Sequence, residues 1–149
     1  MKYYLLKLLF NQDDIFEDYF AFKVNKDIKN FFLPLEKKNN KNELFLYGLQ
    51  DYEKQINDNV QQFVSGYTFN NLLITGAIGC GKTSLIKKTA KKYENHNLKL
   101  IIFNKKDIFL LEDVIFKLKN KKTNYKFLIL LDDISFDSSD DIYQSTKSV

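Results

Sequence analysis

Gly76-Ala77-Ile78-Gly79-Cys80-Gly81-Lys82-Thr83 fits the pattern G-x-x-x-x-G-K-[ST] at every fixed position. The residue types suit one task, holding a phosphate chain. Three of the five glycines in the chain, Gly76, Gly79 and Gly81, lie in this run. Glycine reaches backbone conformations closed to other residues and lets main-chain N–H groups approach an anion without a Cβ between them. Amides along such a loop form a concave anion nest, and a helix that follows adds its positive N-terminal end. Lys82 is then the cation for the β- and γ-phosphates, and the Thr83 hydroxyl a ligand for Mg²⁺. Ala77, Ile78 and Cys80 contribute through their backbone alone. For Cys80, Lys82 and the helix N-terminus also favour a thiolate. The competing explanation is an ordinary glycine turn beside a lysine.

A second constellation stands about fifty residues on, where Phe127-Leu128-Ile129-Leu130-Leu131 runs into Asp132-Asp133. Five apolar residues in a row predict a strand buried on both faces, as parallel strands are. Carboxylates at the C-terminal end of such a strand sit where ligands bind in an open α/β sheet. Alone, this pattern is common. Beside the glycine loop it reads as a Walker B strand to the loop's Walker A. Asp132 is expected to hold Mg²⁺ through water, and Asp133 to orient or activate the attacking water.

The elements that must position these groups follow from spacing. Leu72-Leu73-Ile74 is short, apolar and bounded by turn residues, which predicts a buried strand feeding the loop. Ser84 to Ala90 has the pattern of the helix leaving it. Upstream, Tyr52, Ile56, Val60, Phe63 and Val64 mark one face of a helix over Asp51–Val64, with Gly66 at its C-cap. The run Leu44–Gly48 precedes that helix, and two readings stay open there. Tyr47 and Gly48 wall the adenine of a bound nucleotide, or Leu46 and Tyr47 are plain core. Leu98–Phe103 predicts a second buried strand and Asp107–Leu118 an amphipathic helix. The single histidine, His96, falls in a polar turn with no partners at metal-ligand spacing and reads as a solvated loop residue.

Composition sets wider bounds. The chain has 149 residues, 44% hydrophobic and 28% charged, enough for one domain with a real core. All 23 basic residues are lysine. A net charge of +4 is too mild to imply nucleic acid. Lys117, Lys119, Lys121, Lys122 and Lys126 could touch phosphate backbones but read better as a solvated surface in so lysine-rich a chain. One cysteine excludes an internal disulfide and fits a reducing, cytoplasmic setting. The opening MKYYLLKLLF is too short and too charged for a membrane span and lacks a signal-peptide cleavage site, so it reads as a strand or the start of a buried helix. No membrane partner is expected. The polar run Glu36–Asn42 predicts a linker between an N-terminal arm, residues 1–43, and a nucleotide domain, residues 44–149.

With both motifs in place, the chain resembles bacterial AAA+ ATPases gathered as a P-loop ATP-binding family of unknown function. The likeness covers about Leu44 to Val149. It rests on Gly48 and the helix after it, Asn70-Asn71-Leu72-Leu73, Gly76 to Ser84, Lys105-Lys106-Asp107 and Asp132-Asp133-Ile134-Ser135-Phe136. Asp140-Asp141 and Lys147-Ser148-Val149 are similar to the family's next helix. Helicase-loader ATPases share the loop and the paired aspartates but usually continue with glycine. Most AAA+ proteins carry Asp-Glu where this chain has Asp132-Asp133.

The resemblance implies an α/β P-loop NTPase fold of AAA+ type, a three-layer sandwich around a parallel sheet in the order 5-1-4-3-2. It implies Mg-ATP as ligand, Ser84 beside the loop residues in the binding set, and a homo- or hetero-oligomer. The fourth and fifth strands of that fold, its sensor residue, arginine finger and helical lid have no counterpart before Val149. The expectation is therefore an N-terminal fragment that binds nucleotide and scarcely turns it over alone. The alternatives are a helicase-loader-like, DNA-associated ATPase and a degenerate fragment without enzymatic activity.

Overall fold

A computed structural model describes residues 15–28, 31–41, 46–121 and 123–134. The N-terminal decapeptide, Leu44, Phe45, and the expected family residues Ser135-Phe136, Asp140-Asp141 and Lys147–Val149 lie outside the described residues.

Four strands form one sheet in the order β2-β1-β3-β4: β1 Tyr19–Val24, β2 Phe32–Lys37, β3 Leu98–Asn104 and β4 Lys126–Asp132. β3 runs parallel to β1 on one side and to β4 on the other, while β1 and β2 are antiparallel. The sheet is thus mostly parallel, with one antiparallel edge. The helices are α1 Ile15–Asp18, α2 Gln50–Ser65, α3 Lys82–Lys92 and α4 Leu111–Asn120.

Period-2 alternation in the strands sends side chains into two cores. Ile101 and Phe103 of β3 join Phe22 and Val24 of β1 beneath α1 and α4. Leu98, Leu100 and Ile102 face the other way, with Phe20 and Ala21, beneath α2 and α3. Helices therefore cover both faces, giving a layered α/β unit. The expected face of α2 is inward at Ile56 and Val60 and partly so at Phe63 and Val64, whereas Tyr52, expected on it, is 61% exposed, one turn before the part of the helix that meets the core. Gly66 caps it in the left-handed conformation at φ 81°, where a side chain would be strained.

Several expectations need correction. Leu72-Leu73-Ile74 is not a strand. Leu72 and Leu73 are 48% and 81% exposed, and Ile74 alone of the three packs against a core. A strand needs a neighbour for its N–H and C=O groups, and among the described residues none lies beside this run. For the same reason β4 is half-buried along its whole length rather than buried on both faces; among the described residues β3 is its only neighbour in the sheet. The helix expected over Asp107–Leu118 is split, with Lys105–Leu110 as a 3₁₀ segment before α4.

The polar run expected as a linker starts inside β2. Glu36 pairs with Lys87 of α3 at 3.3 Å. The Asn39 amide donates to Glu94 Oε1 at 3.0 Å. The N-terminal hairpin is thus tied to the turn that leads into β3.

Sequence reading missed Lys99, a lysine with no exposed surface in the second position of β3. Its amine donates to the Phe16 carbonyl and, at 2.9 Å, to the Tyr19 carbonyl, and it sits 4.6 Å from the centre of the Tyr125 ring. Burial pushes its pKa down to about 7, helped by the Lys38 charge and opposed by Glu94 and Glu17. Between pH 7 and the ordinary lysine value the unfolded chain holds a proton that the folded chain does not. Stability therefore rises with pH through that window, and below it this group contributes no slope. We predict that urea unfolding at pH 7.5 and 9.5 shows this gain, at most about 1.4 kcal/mol per pH unit. Lys99→Met should flatten it, and an equal slope in the two proteins would refute the assignment.

Candidate functional site

α3 begins at the glycine loop, and β4 ends beside it. The link between them is a hydrogen bond from Thr83 Oγ1 to Asp132 Oδ1, 2.7 Å long and partly buried. Residues 49 apart in the chain meet there because α3 lies on the sheet face below β3 and β4, with its first turn at the C-terminal end of β4. Register places Asp132 opposite Asn104, the last residue of β3, so the pair stands at the ends of two parallel strands.

The loop wraps its own lysine. Lys82 Nζ donates to the carbonyls of Gly76 at 2.9 Å and Ala77 at 2.8 Å, with Cys80 Sγ at 3.8 Å. An anion that reached this ammonium would compete with those carbonyls. Two glycines stand at backbone angles that strain a side chain, Gly76 at φ 154° and Gly81 at φ 92°, and Gly76 is tight for space as well. A Cβ on Gly76 would stand 3.1 Å from Cys80 Sγ. Gly81 caps α3 at φ 92°, with Leu49 and Leu46 side chains 3.4 and 3.6 Å from where its Cβ would be. The turn 46–49 therefore packs on the loop through Leu46 and Leu49.

Within that turn Tyr47 is 90% exposed, and Gly48 takes φ 72°. Of the two readings of this turn, plain core fits Leu46 and does not fit Tyr47. Ala77, Ile78, Gly79 and Cys80 are exposed along the loop, while Lys82, Thr83 and Ser84 are half-buried at the start of α3. Asp133 is exposed and left-handed, at φ 54°. That conformation is uncommon outside glycine but more accessible to aspartate than to most residues.

The remaining candidates lie elsewhere. His96 is exposed in a 3₁₀ turn, its ring 5.6 Å from that of Tyr93. Among the described residues there is no cluster of three metal-ligating side chains. Much of the lysine run is engaged within the fold. Lys117 lies over the Phe31 ring and Lys121 over the Phe16 ring, and Lys126 donates to the Val64 carbonyl. No described helix is long and apolar enough to cross a membrane.

One further residue is absent from the sequence reading. Asn59 of α2 bridges the backbone of Asn70, donating from Nδ2 to its carbonyl at 2.6 Å and accepting from its amide at 3.1 Å. An asparagine in mid-helix gives no signal of such a role from sequence alone.

Residues 17–149 match the protein family described as "Protein of unknown function (DUF815)". The chain belongs to this family. The DUF815 match takes in the β1–β2 hairpin, the glycine loop and the Asp132–Asp133 pair alike. No curated protein and no solved structure matches the chain.

The Thr83–Asp132 contact is testable without any ligand. A hydrogen bond to a carboxylate contributes about 1.5–3 kcal/mol in favourable settings. In a double-mutant cycle of Thr83→Val and Asp132→Asn by urea unfolding, we expect a coupling of about 1 kcal/mol. Strict additivity of the two single changes would show that the groups do not interact in solution.

Proposed function

We propose that this chain is an ATP-binding protein of the AAA+ P-loop type, with Mg-ATP held between the glycine loop and the end of β4. The observation that carries the reading is the Thr83–Asp132 hydrogen bond. It joins the hydroxyl of the Gly-Lys-Thr motif to the first carboxylate of the strand-end pair, the two groups expected at one metal. A hydroxyl and a carboxylate are hard oxygen donors, the set that suits Mg²⁺. The loop precedes the N-terminus of α3, and Gly76, Gly79 and Gly81 all take positive φ, the backbone freedom that a phosphate cradle needs.

In this reading the backbone amides of Gly76 to Thr83, with Ser84 following, cradle the phosphates, and Lys82 exchanges its loop carbonyls for phosphate oxygens. Thr83 and Asp132 hold the metal, which when bound neutralises charge on the β- and γ-phosphates. Tyr47 and Gly48 lie on the turn beside Gly81 and form one wall for the base. Asp133, exposed beside Asp132, accepts a hydrogen bond from the attacking water and orients it.

The 149 residues contain no arginine, so a second copy of this stretch has none to extend into the site. In P-loop enzymes that group contributes about 10³–10⁵ in rate. Binding without appreciable turnover is the expected behaviour of this chain alone.

In titration with a fluorescent ATP analogue and Mg²⁺, Lys82→Ala should bind about ten- to a hundredfold more weakly than wild type, the loss of one charge-assisted contact. Equal affinities would sink the assignment. Phosphate release by the purified chain should stay well below about 1 s⁻¹, with Asp133→Asn as the blank. Steady turnover at that rate, abolished by the substitution, would mean that the site is complete without an arginine.

A further inference from the structure

Among the described residues no strand lies beside the run that leads into the glycine loop, yet its start is held. Among the described residues, Asn71 to Thr75 make no backbone–backbone hydrogen bond. What fixes the run lies just upstream, on α2. The Asn59 amide pairs with both the N–H and the C=O of Asn70, at 3.1 and 2.6 Å, as a neighbouring strand would. One helical turn on, Phe63 packs against Phe69 with ring centres 4.7 Å apart and planes tilted by 58°. Positions 59 and 63 share a helix face, so α2 grips Phe69 and Asn70, the two residues just before the run.

The same helix is joined to α3, where the loop ends. Glu53 pairs with Lys88 at 2.8 Å, and Asn57 accepts from Lys92 at 2.8 Å and from the Tyr93 hydroxyl at 3.1 Å. The turn before α2 packs on Gly81. The two ends of the loop are therefore both referenced to one rigid element.

We propose that Asn59 is a positioning residue for the glycine loop, its side-chain amide holding the backbone of Asn70 where no strand among the described residues pairs with the approach. Held at Asn70, the chain enters the loop at a fixed height, and the loop amides are preorganised for an anion rather than ordered at the moment of binding. The inference rests on the ATP-binding reading for its functional half and stands on geometry for the rest.

Two measurements on Asn59→Ala and Asn59→Asp test it. Aspartate keeps the acceptor for the Asn70 amide but loses the donor and sets a carboxylate against the carbonyl. Chymotrypsin reports local opening at Tyr67, Phe69, Leu72 and Leu73, which are exposed. Both variants should be cut there about fivefold faster than wild type, because cleavage follows the population of the opened segment. Their melting temperatures should stay near that of wild type, since alanine is the better helix former and the clamp lies outside both cores. Affinity for the fluorescent ATP analogue should fall about three- to tenfold.

Unchanged cleavage overturns the proposal. So does faster cleavage with undiminished ATP affinity, which would mean that the clamp does not reach the loop. A parallel fall in melting temperature would reduce Asn59 to a structural role and also overturns it. If wild type binds no ATP analogue, the ATP-binding reading fails, and the cleavage ratio alone decides whether Asn59 holds the approach.

Discussion

The fold depends on burying β3 on every side. From Leu98 to Phe103 each residue is buried, with β1 and β4 hydrogen-bonded along its two edges. A parallel strand in that position leaves no backbone group to water, so both faces must carry a helical layer. That requirement brings α2 and α3 to one face and α1 and α4 to the other. It also sets the price of Lys99, the one charged residue on the strand, whose amine is satisfied by carbonyls within α1 and at the start of β1.

The candidate site is a by-product of this layering. α3 crosses the sheet face with its N-terminus at the C-terminal ends of the parallel strands, so a loop preceding the helix and a carboxylate ending a strand must converge. Lys82 and Thr83 are adjacent in the chain and have different fates. Lys82 turns back on the carbonyls of its own loop, whereas Thr83 reaches across to Asp132. The approach to the loop is the less supported side. It takes its order from helix side chains, Asn59 and Phe63, where a paired strand would take it from its backbone.

The edges of the sheet differ in kind. β2 carries Pro34, Glu36 and Lys37, residues that discourage a further strand from pairing. β4 carries five apolar residues between Lys126 and Asp132, and among the described residues no strand pairs with its second edge. Leu72 and Leu73 add exposed apolar surface elsewhere in the molecule.

Much was legible in the sequence. The glycine loop, the paired aspartates, the apolar face of α2 with its C-cap glycine, and strands β3 and β4 are local patterns, and each emerged within a residue or two of its expected bounds. Local chemistry dictates them, because spacing alone decides which side chains share a face. Three things were decided by tertiary structure. Leu72–Ile74 has the composition of a strand, but a strand exists only through a neighbour's hydrogen bonds, and no periodicity reveals whether one is present. Lys99 looks like any other surface lysine among 23; only the packing of α1 and Tyr125 over β3 removes it from water. Asn59 and Asn70 are unremarkable letters eleven apart, and they meet because a helix and an extended run pass at hydrogen-bonding distance, which depends on where both elements lie in space.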